Sequence, residues 1–206
     1  MPTKWIKVTT VAVVGLVAAG IAFVAGNRSV DKPEPAASNQ TTTRPATGQT
    51  GGLVEFRDEK NGFAISHPRN WLRFQSNDPN VVLVVSEKQP EQNNGGSILV
   101  RTITLGNPVG QEQLAEAKKV TDEIVTKGPG VELKFEPKVV DQGGLPGWLY
   151  VYTFADTASG QRGVHSHYFL FKDRTMISIV FQALPETEFT RLAPVFDDVI
   201  ATFRVL

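Results

Sequence analysis

Asn61-Gly62-Phe63-Ala64-Ile65-Ser66-His67-Pro68-Arg69-Asn70-Trp71 is the stretch on which the fold turns. Asn-Gly supplies the positive φ that a tight hairpin turn needs. With the polar residues Asp58-Glu59-Lys60 it separates two short strand candidates, Leu53–Phe56 and Phe63–Ser66. Pro68 ends the second strand, because it donates no backbone hydrogen bond and fixes φ. Trp71 is large enough to plug the space between a sheet and a covering helix. Its alternative role is a stacking platform for a ligand.

Downstream, Val81–Val85 is a continuous apolar run, β-branched at every position but Leu83, predicting a strand buried on both faces. Asn93-Asn94-Gly95-Gly96 reads as a turn, and Ser97–Leu105 alternates as a strand. The period then changes. Over Gln111–Lys127, Leu114, Ala117, Val120, Thr121 and Ile124 share one helical face, and Gly128-Pro129-Gly130 ends the helix. Strands resume at Val131–Val140, Trp148–Phe154, Val164–Phe171 and Met176–Ala183. After Pro185, Phe189, Leu192, Phe196, Val199, Ile200 and Phe203 recur at steps of three and four. Pro194 inside that pattern predicts a kink or restart. Arg204-Val205-Leu206 reads as a closing extended stub.

Upstream the chain changes character. Lys4 and Lys7 precede an apolar run, Val8–Ala25, close to the roughly 20 residues needed to cross a bilayer as a helix. The two lysines predict a cytoplasmic N-terminus, with the rest of the chain outside. A cleaved signal peptide is the rival reading, with small residues at Ala18-Ala19-Gly20 and Val24-Ala25-Gly26. The length of the run favours an uncleaved anchor. Asn27–Gly52 is rich in Thr, Ser, Pro, Gly, Asn and Gln, and buries too little apolar surface to offset its ordering entropy. Three segments follow: a transmembrane anchor or signal segment over 1–26, a disordered linker over 27–52, and a globular domain over 53–206.

The 206 residues contain no cysteine, which excludes disulfides, thiol catalysis, Cys-ligated zinc and lipidation at an N-terminal Cys. Basic and acidic side chains balance at 21 each, giving no support to a nucleic-acid binder. The balance is the sum of a positively flanked N-terminus and a mildly acidic domain.

The order of the domain, together with Asn61, Gly62, Phe63, Pro68 and Trp71, resembles the PsbP-like family. That family's usual opening is Asn-Gly-Phe, an alternating strand, then Tyr-Pro-x-x-Trp. His67 stands here where the Tyr is usual, and Thr202-Phe203 stands for the usual Ser-Phe near the end. The resemblance spans about residues 54–205. It implies an α+β fold, a mostly antiparallel sheet with helices on both faces. This α/β/α sandwich is shared with Ran-binding import factors and tethered bacterial envelope proteins. It also implies binding and assembly rather than catalysis, with no common ligand. No chloroplast transit peptide is evident.

His165-Ser166-His167 invites a metal reading, because residues i and i+2 of a strand share a face. Two imidazoles make half a zinc site, with His67, Asp156 or Asp173 as candidate third ligand. The plainer reading is an ordinary strand pair. Trp148, Tyr150, Tyr152 and Phe154 form an aromatic stripe at period two. It is either core beneath a helix or, with Trp71, the wall of a ligand groove. There is no Gly-x-Ser-x-Gly elbow and no phosphate loop. Asp197-Asp198 reads as a solvated acidic pair on a helix.

The expectation is a single-pass, membrane-tethered extracytoplasmic binding module without catalytic activity or cofactor. Its partner would be a protein, lipid or cell-wall component, and not nucleic acid. The alternatives are a secreted binding protein after signal cleavage, and a histidine-dependent metal enzyme.

Overall fold

The computed structural model describes residues 52–89 and 94–206. The expected membrane segment and all of the expected linker before Gly52 lie outside the described residues, among which no helix is long and apolar enough to cross a membrane.

The opening hairpin forms as its turn chemistry demands. Strand β1 (Leu53–Asp58) pairs antiparallel with β2 (Phe63–Pro68). Asp58 closes the turn through its carboxylate, which accepts from the Asn61 backbone N–H at 3.0 Å and from the Asn61 side chain at 2.6 Å. Gly62 adopts φ 68°, a left-handed conformation that L side chains rarely tolerate. The C-terminal stub, β11 (Arg204–Val205), adds to β2 and completes a three-stranded sheet in the order β1-β2-β11.

The larger sheet holds β3 (Leu72–Phe74), β4 (Val81–Ser86), β5 (Gly95–Thr104), β6 (Glu132–Leu133), β8 (Leu145–Ala155), β9 (Arg162–Lys172) and β10 (Thr175–Leu184). Their order is β3-β4-β5-β10-β9-β8-β6, with β7 (Lys138–Gln142) also pairing β8. Every pairing is antiparallel. Helix α1 (Leu114–Thr126) and helix α2 (Phe189–Ile200) lie on opposite faces of this sheet. The fold is α+β, as expected.

Alternation along the strands sorts two cores. One face sends Ile98, Val100, Ile177, Ile179 and Phe181 towards α2, where Leu192, Phe196, Val199 and Ile200 meet them. Phe63 and Ile65 of β2, and Phe203 just before β11, join the same core, so α2 is enclosed from two sides. Each such side chain contributes about 1.5–3 kcal/mol by leaving water. The other face packs Trp148, Tyr150, Tyr152, Phe169, Phe171 and Met176 against Leu114, Ala117, Ile124 and Val125 of α1.

Four local expectations differ from the structure. The strand expected over Val131–Val140 is two short strands, β6 and β7, because Pro137 cannot donate to the ladder. Gly95 and Gly96 belong to β5 rather than to a turn. A Cβ at Gly96 would sit 2.6 Å from the Trp71 ring and 2.8 Å from Leu192, so this glycine serves close packing. Val120 is 47% exposed at the edge of the buried α1 stripe. Pro194 leaves α2 continuous; it lies on the exposed side, where the carbonyl it leaves unpaired is within reach of water.

Trp71 is buried and meets Phe196 edge-on at 6.4 Å. Gly96→Ala is therefore expected to lower unfolding free energy by about 1–3 kcal/mol through overpacking. Chemical denaturation should show the loss, and a Trp71→Phe background should relieve part of it.

Candidate functional site

His165 and His167 share the α1 face of β9, with Tyr152 and Tyr150 opposite them on β8 and Gln182 and Val180 opposite on β10. The Tyr152 hydroxyl lies between the two rings, 3.1 Å from His165 Nδ1 and 3.2 Å from His167 Nδ1. His165 Nε2 meets Gln182 Oε1 at 2.9 Å, and His167 Nε2 meets Ser178 Oγ at 2.7 Å. All four ring nitrogens are engaged.

Proton counting fixes the network further. A buried O–H proton needs an acceptor. Tyr152 has one proton and gives it to one Nδ1. The other neutral imidazole must then donate its own Nδ1–H to the tyrosine oxygen. The two rings therefore hold opposite tautomers. Phe154 stacks on His165 at 4.0 Å and Phe169 on His167 at 3.8 Å, which excludes water from both rings.

The sequence pairing of His165 with His167 on one face is seen, but none of the third-ligand candidates joins them. His67 lies on β2 of the other sheet, with Nδ1 3.1 Å from the Pro68 carbonyl. Asp156 caps its own turn by accepting from Ser159 N–H at 2.8 Å, and Asp173 adopts φ 50° in the β9–β10 turn. Among the described residues no group of three or more His, Asp or Glu is placed to hold a metal ion.

The aromatic stripe lies beneath α1. Trp148 Nε1 donates to the Leu114 carbonyl at 3.0 Å. The Tyr150 hydroxyl donates to Asp122 Oδ1 at 2.8 Å and lies 2.7 Å from Thr121 Oγ1. Lys118 Nζ sits 5.6 Å from the Trp148 ring and bonds Asp122 at 2.8 Å. Trp148, Tyr150 and Tyr152 are buried, as is Trp71 on the opposite side of the sheet beside α2.

The residues of β9 out of phase with the histidines point to the other face. Ser166 and Tyr168 line a pocket beside α2, with Phe181, Phe189, Phe196 and Asp197. Tyr168 meets Phe181 edge-on at 6.0 Å, and Phe181 lies 5.2 Å from Phe196. Burial, and secondly the charge of Asp197, push the Tyr168 phenol above its ordinary pKa. The side chains of Ser166, Tyr168 and Asp197 have no hydrogen-bond or ion-pair partner among the described residues. The His-x-His reading missed them because it followed only one face of the strand. Period two, applied to the intervening residues, carries the signal for Ser166 and Tyr168. Nothing in the sequence brings Asp197 to them.

No protein-family model matches the chain, and no curated protein does. Solved structures do match. LpqN of Mycobacterium tuberculosis, involved in cell envelope biogenesis, is 11% identical, with a TM-score of 0.53 over 77% of this chain and 87% of LpqN. Cyanobacterial PsbP (CyanoP) of Synechocystis is 14% identical, with a TM-score of 0.51 over 80% of this chain and 98% of CyanoP. A protein of Bacteroides thetaiotaomicron is 15% identical, with a TM-score of 0.50 over 74% of this chain, which spans only 48% of that protein. At such identities the likeness shows the fold, and the fold is PsbP-like.

Burial lowers the pKa of both imidazoles, His165 to about 4. For His167 the neighbouring His165 and Arg101 add to that effect. Below pH 6.5 the unfolded chain takes up protons that the folded pair refuses, so stability falls as pH falls towards the folded pKa values. Each histidine should contribute up to about 1.4 kcal/mol of loss per pH unit in that window. Denaturation between pH 7 and pH 5 should show a steeper loss for wild type than for a His165→Gln, His167→Gln double variant.

Proposed function

We propose that the chain is a binding or assembly module with no catalytic turnover of its own, held by its N-terminal helix on the outer side of a membrane. One contrast carries this reading. The residues with the most reactive chemistry, His165 and His167, engage all their ring nitrogens inside the fold. The unengaged polar groups, on Ser166, Tyr168 and Asp197, instead line an aromatic pocket. Such an arrangement recognises a ligand without supplying a base or nucleophile activated by a neighbour.

The tether rests on Lys4, Lys7 and the apolar run Val8–Ala25, followed by a spacer that holds the domain off the bilayer surface. LpqN has the same fold and is involved in cell envelope biogenesis, which supports an envelope role and a protein, lipid or cell-wall partner.

Photo-crosslinking in intact cells tests the module. A benzoylphenylalanine at Thr190, exposed one turn from the pocket residue Ala193, should give a discrete adduct. The same probe at Val120 on α1 should not. The protein should sediment with membranes and retain Val8–Ala25 by mass spectrometry. A new terminus near Ile21 or Gly26 would replace the tether with secretion, and absence of any adduct would sink the binding reading.

A further inference from the structure

The pocket beside α2 combines three features that together select one ligand chemistry. Its rim is aromatic, formed by the partly exposed Tyr168 and Phe189, over a floor of the nearly fully buried Phe181 and Phe196. The polar residues that line it are Ser166, Tyr168 and Asp197, whose side chains carry oxygen as their polar atoms. Its size admits about three water molecules, judged by the space a single water needs.

Charge decides between ligands. The cations near this end of the fold are engaged elsewhere. Arg191 bonds Glu87 at 2.8 Å and Glu188 at 2.6 Å, Lys134 bonds Glu186 at 2.6 Å, and Arg162 bonds Glu132 at 2.9 Å. Asp197 forms no ion pair among the described residues, and Asp198 beside it adds a second negative charge. An anion is repelled. A neutral apolar group would gain nothing from the unpaired carboxylate of Asp197 at the pocket mouth. A metal ion would find a single carboxylate and a wall of rings, too few hard donors for stable coordination. An organic ammonium group suits the carboxylate and the rings together: its charge faces Asp197, its N-bound carbons face the aromatic side chains, and cation–π attraction adds to both, while the part-exposed Ser166 and Tyr168 hydroxyls keep access to water.

We propose that this pocket binds an alkylammonium group the size of a trimethylammonium head. The inference goes beyond the module reading, since it stands on the pocket's geometry and needs neither the tether nor a protein partner. The same chemistry is found on a free amine and on a lipid headgroup.

The test is a titration of the full chain in maltoside micelles with tetramethylammonium chloride, followed by NMR at constant ionic strength. Resonances of Tyr168 and Phe189 should shift saturably, with half-saturation on the order of millimolar, the range of a small ligand held by few contacts. Neutral tert-butanol, similar in size, should bind at least about tenfold more weakly, as should tetramethylammonium to Asp197→Asn or to Phe189→Ala. Amide spectra of the variants check that the fold is retained. Choline and a short-chain phosphatidylcholine, each titrated into the same micelles, then distinguish the sources: the lower half-saturation for the Tyr168 and Phe189 shifts assigns a soluble amine if choline gives it and a lipid headgroup if the phosphatidylcholine does. The proposal is overturned if tetramethylammonium causes no saturable shift, if tert-butanol binds equally well, or if folded Asp197→Asn binds as wild type does. The crosslinking at Thr190 reads the module independently, so either idea can fail alone.

Discussion

Strand β9 runs through the interior of the larger sheet, with α1 over one face and α2 beside the other, and the rest of the structure depends on what its alternation separates. His165 and His167 enter the α1 side, where burial forces each ring nitrogen to find a partner. Ser166 and Tyr168, one residue out of phase, face α2 and remain half-exposed. A one-residue slip of β9 would exchange the two sets and leave aromatic and imidazole groups unpaired on the wrong side. The pairing of β9 with both β8 and β10 along nearly its whole length opposes that slip.

The α1 face explains why its core contains so much polar chemistry. Helix α1 has a single apolar stripe interrupted by Thr121, and its docking is fixed by directional contacts as well as by burial. Trp148 holds the Leu114 carbonyl near the helix start, and Tyr150 holds Thr121 and Asp122 one turn or more beyond. These bonds specify the position of the helix along β8, which apolar contacts alone would leave less sharply defined. The histidine network beside them is neutral and closed, so it stabilises only while both rings stay unprotonated.

Much of this architecture was legible in the sequence, and the failures have physical causes. Asn61-Gly62, Pro68 and the aromatic period of Trp148 to Phe154 each express a local constraint that tertiary packing does not override. Gly96 was misread because a glycine required by close approach of the Trp71 ring looks, in sequence, like a glycine required by a turn. Pro137 interrupts a run whose hydropathy otherwise reads as one strand. The Tyr152 bridge joins β8 to β9, and Asp197 meets Tyr168 across a helix–sheet interface. Such meetings are set by the register of the sheet and the seating of α2, which no local pattern encodes.

The same seating determines how the pocket can be dissected. Phe181 and Phe196 form its floor and are also part of the α2 core, each almost fully buried. Their ring positions are therefore fixed by folding, and a ligand entering the pocket has little side-chain entropy to remove from them. The same sharing means that truncating either ring would lower stability by several kcal/mol, about 3–5 for a buried phenylalanine. Loss of binding in those variants would then be inseparable from loss of the fold. Phe189 is only partly buried at the rim, and Asp197 is exposed on the helix. Recognition and stability separate most cleanly at Asp197, which lines the pocket from the exposed side of α2, and less so at Phe189, which packs against the core from its rim.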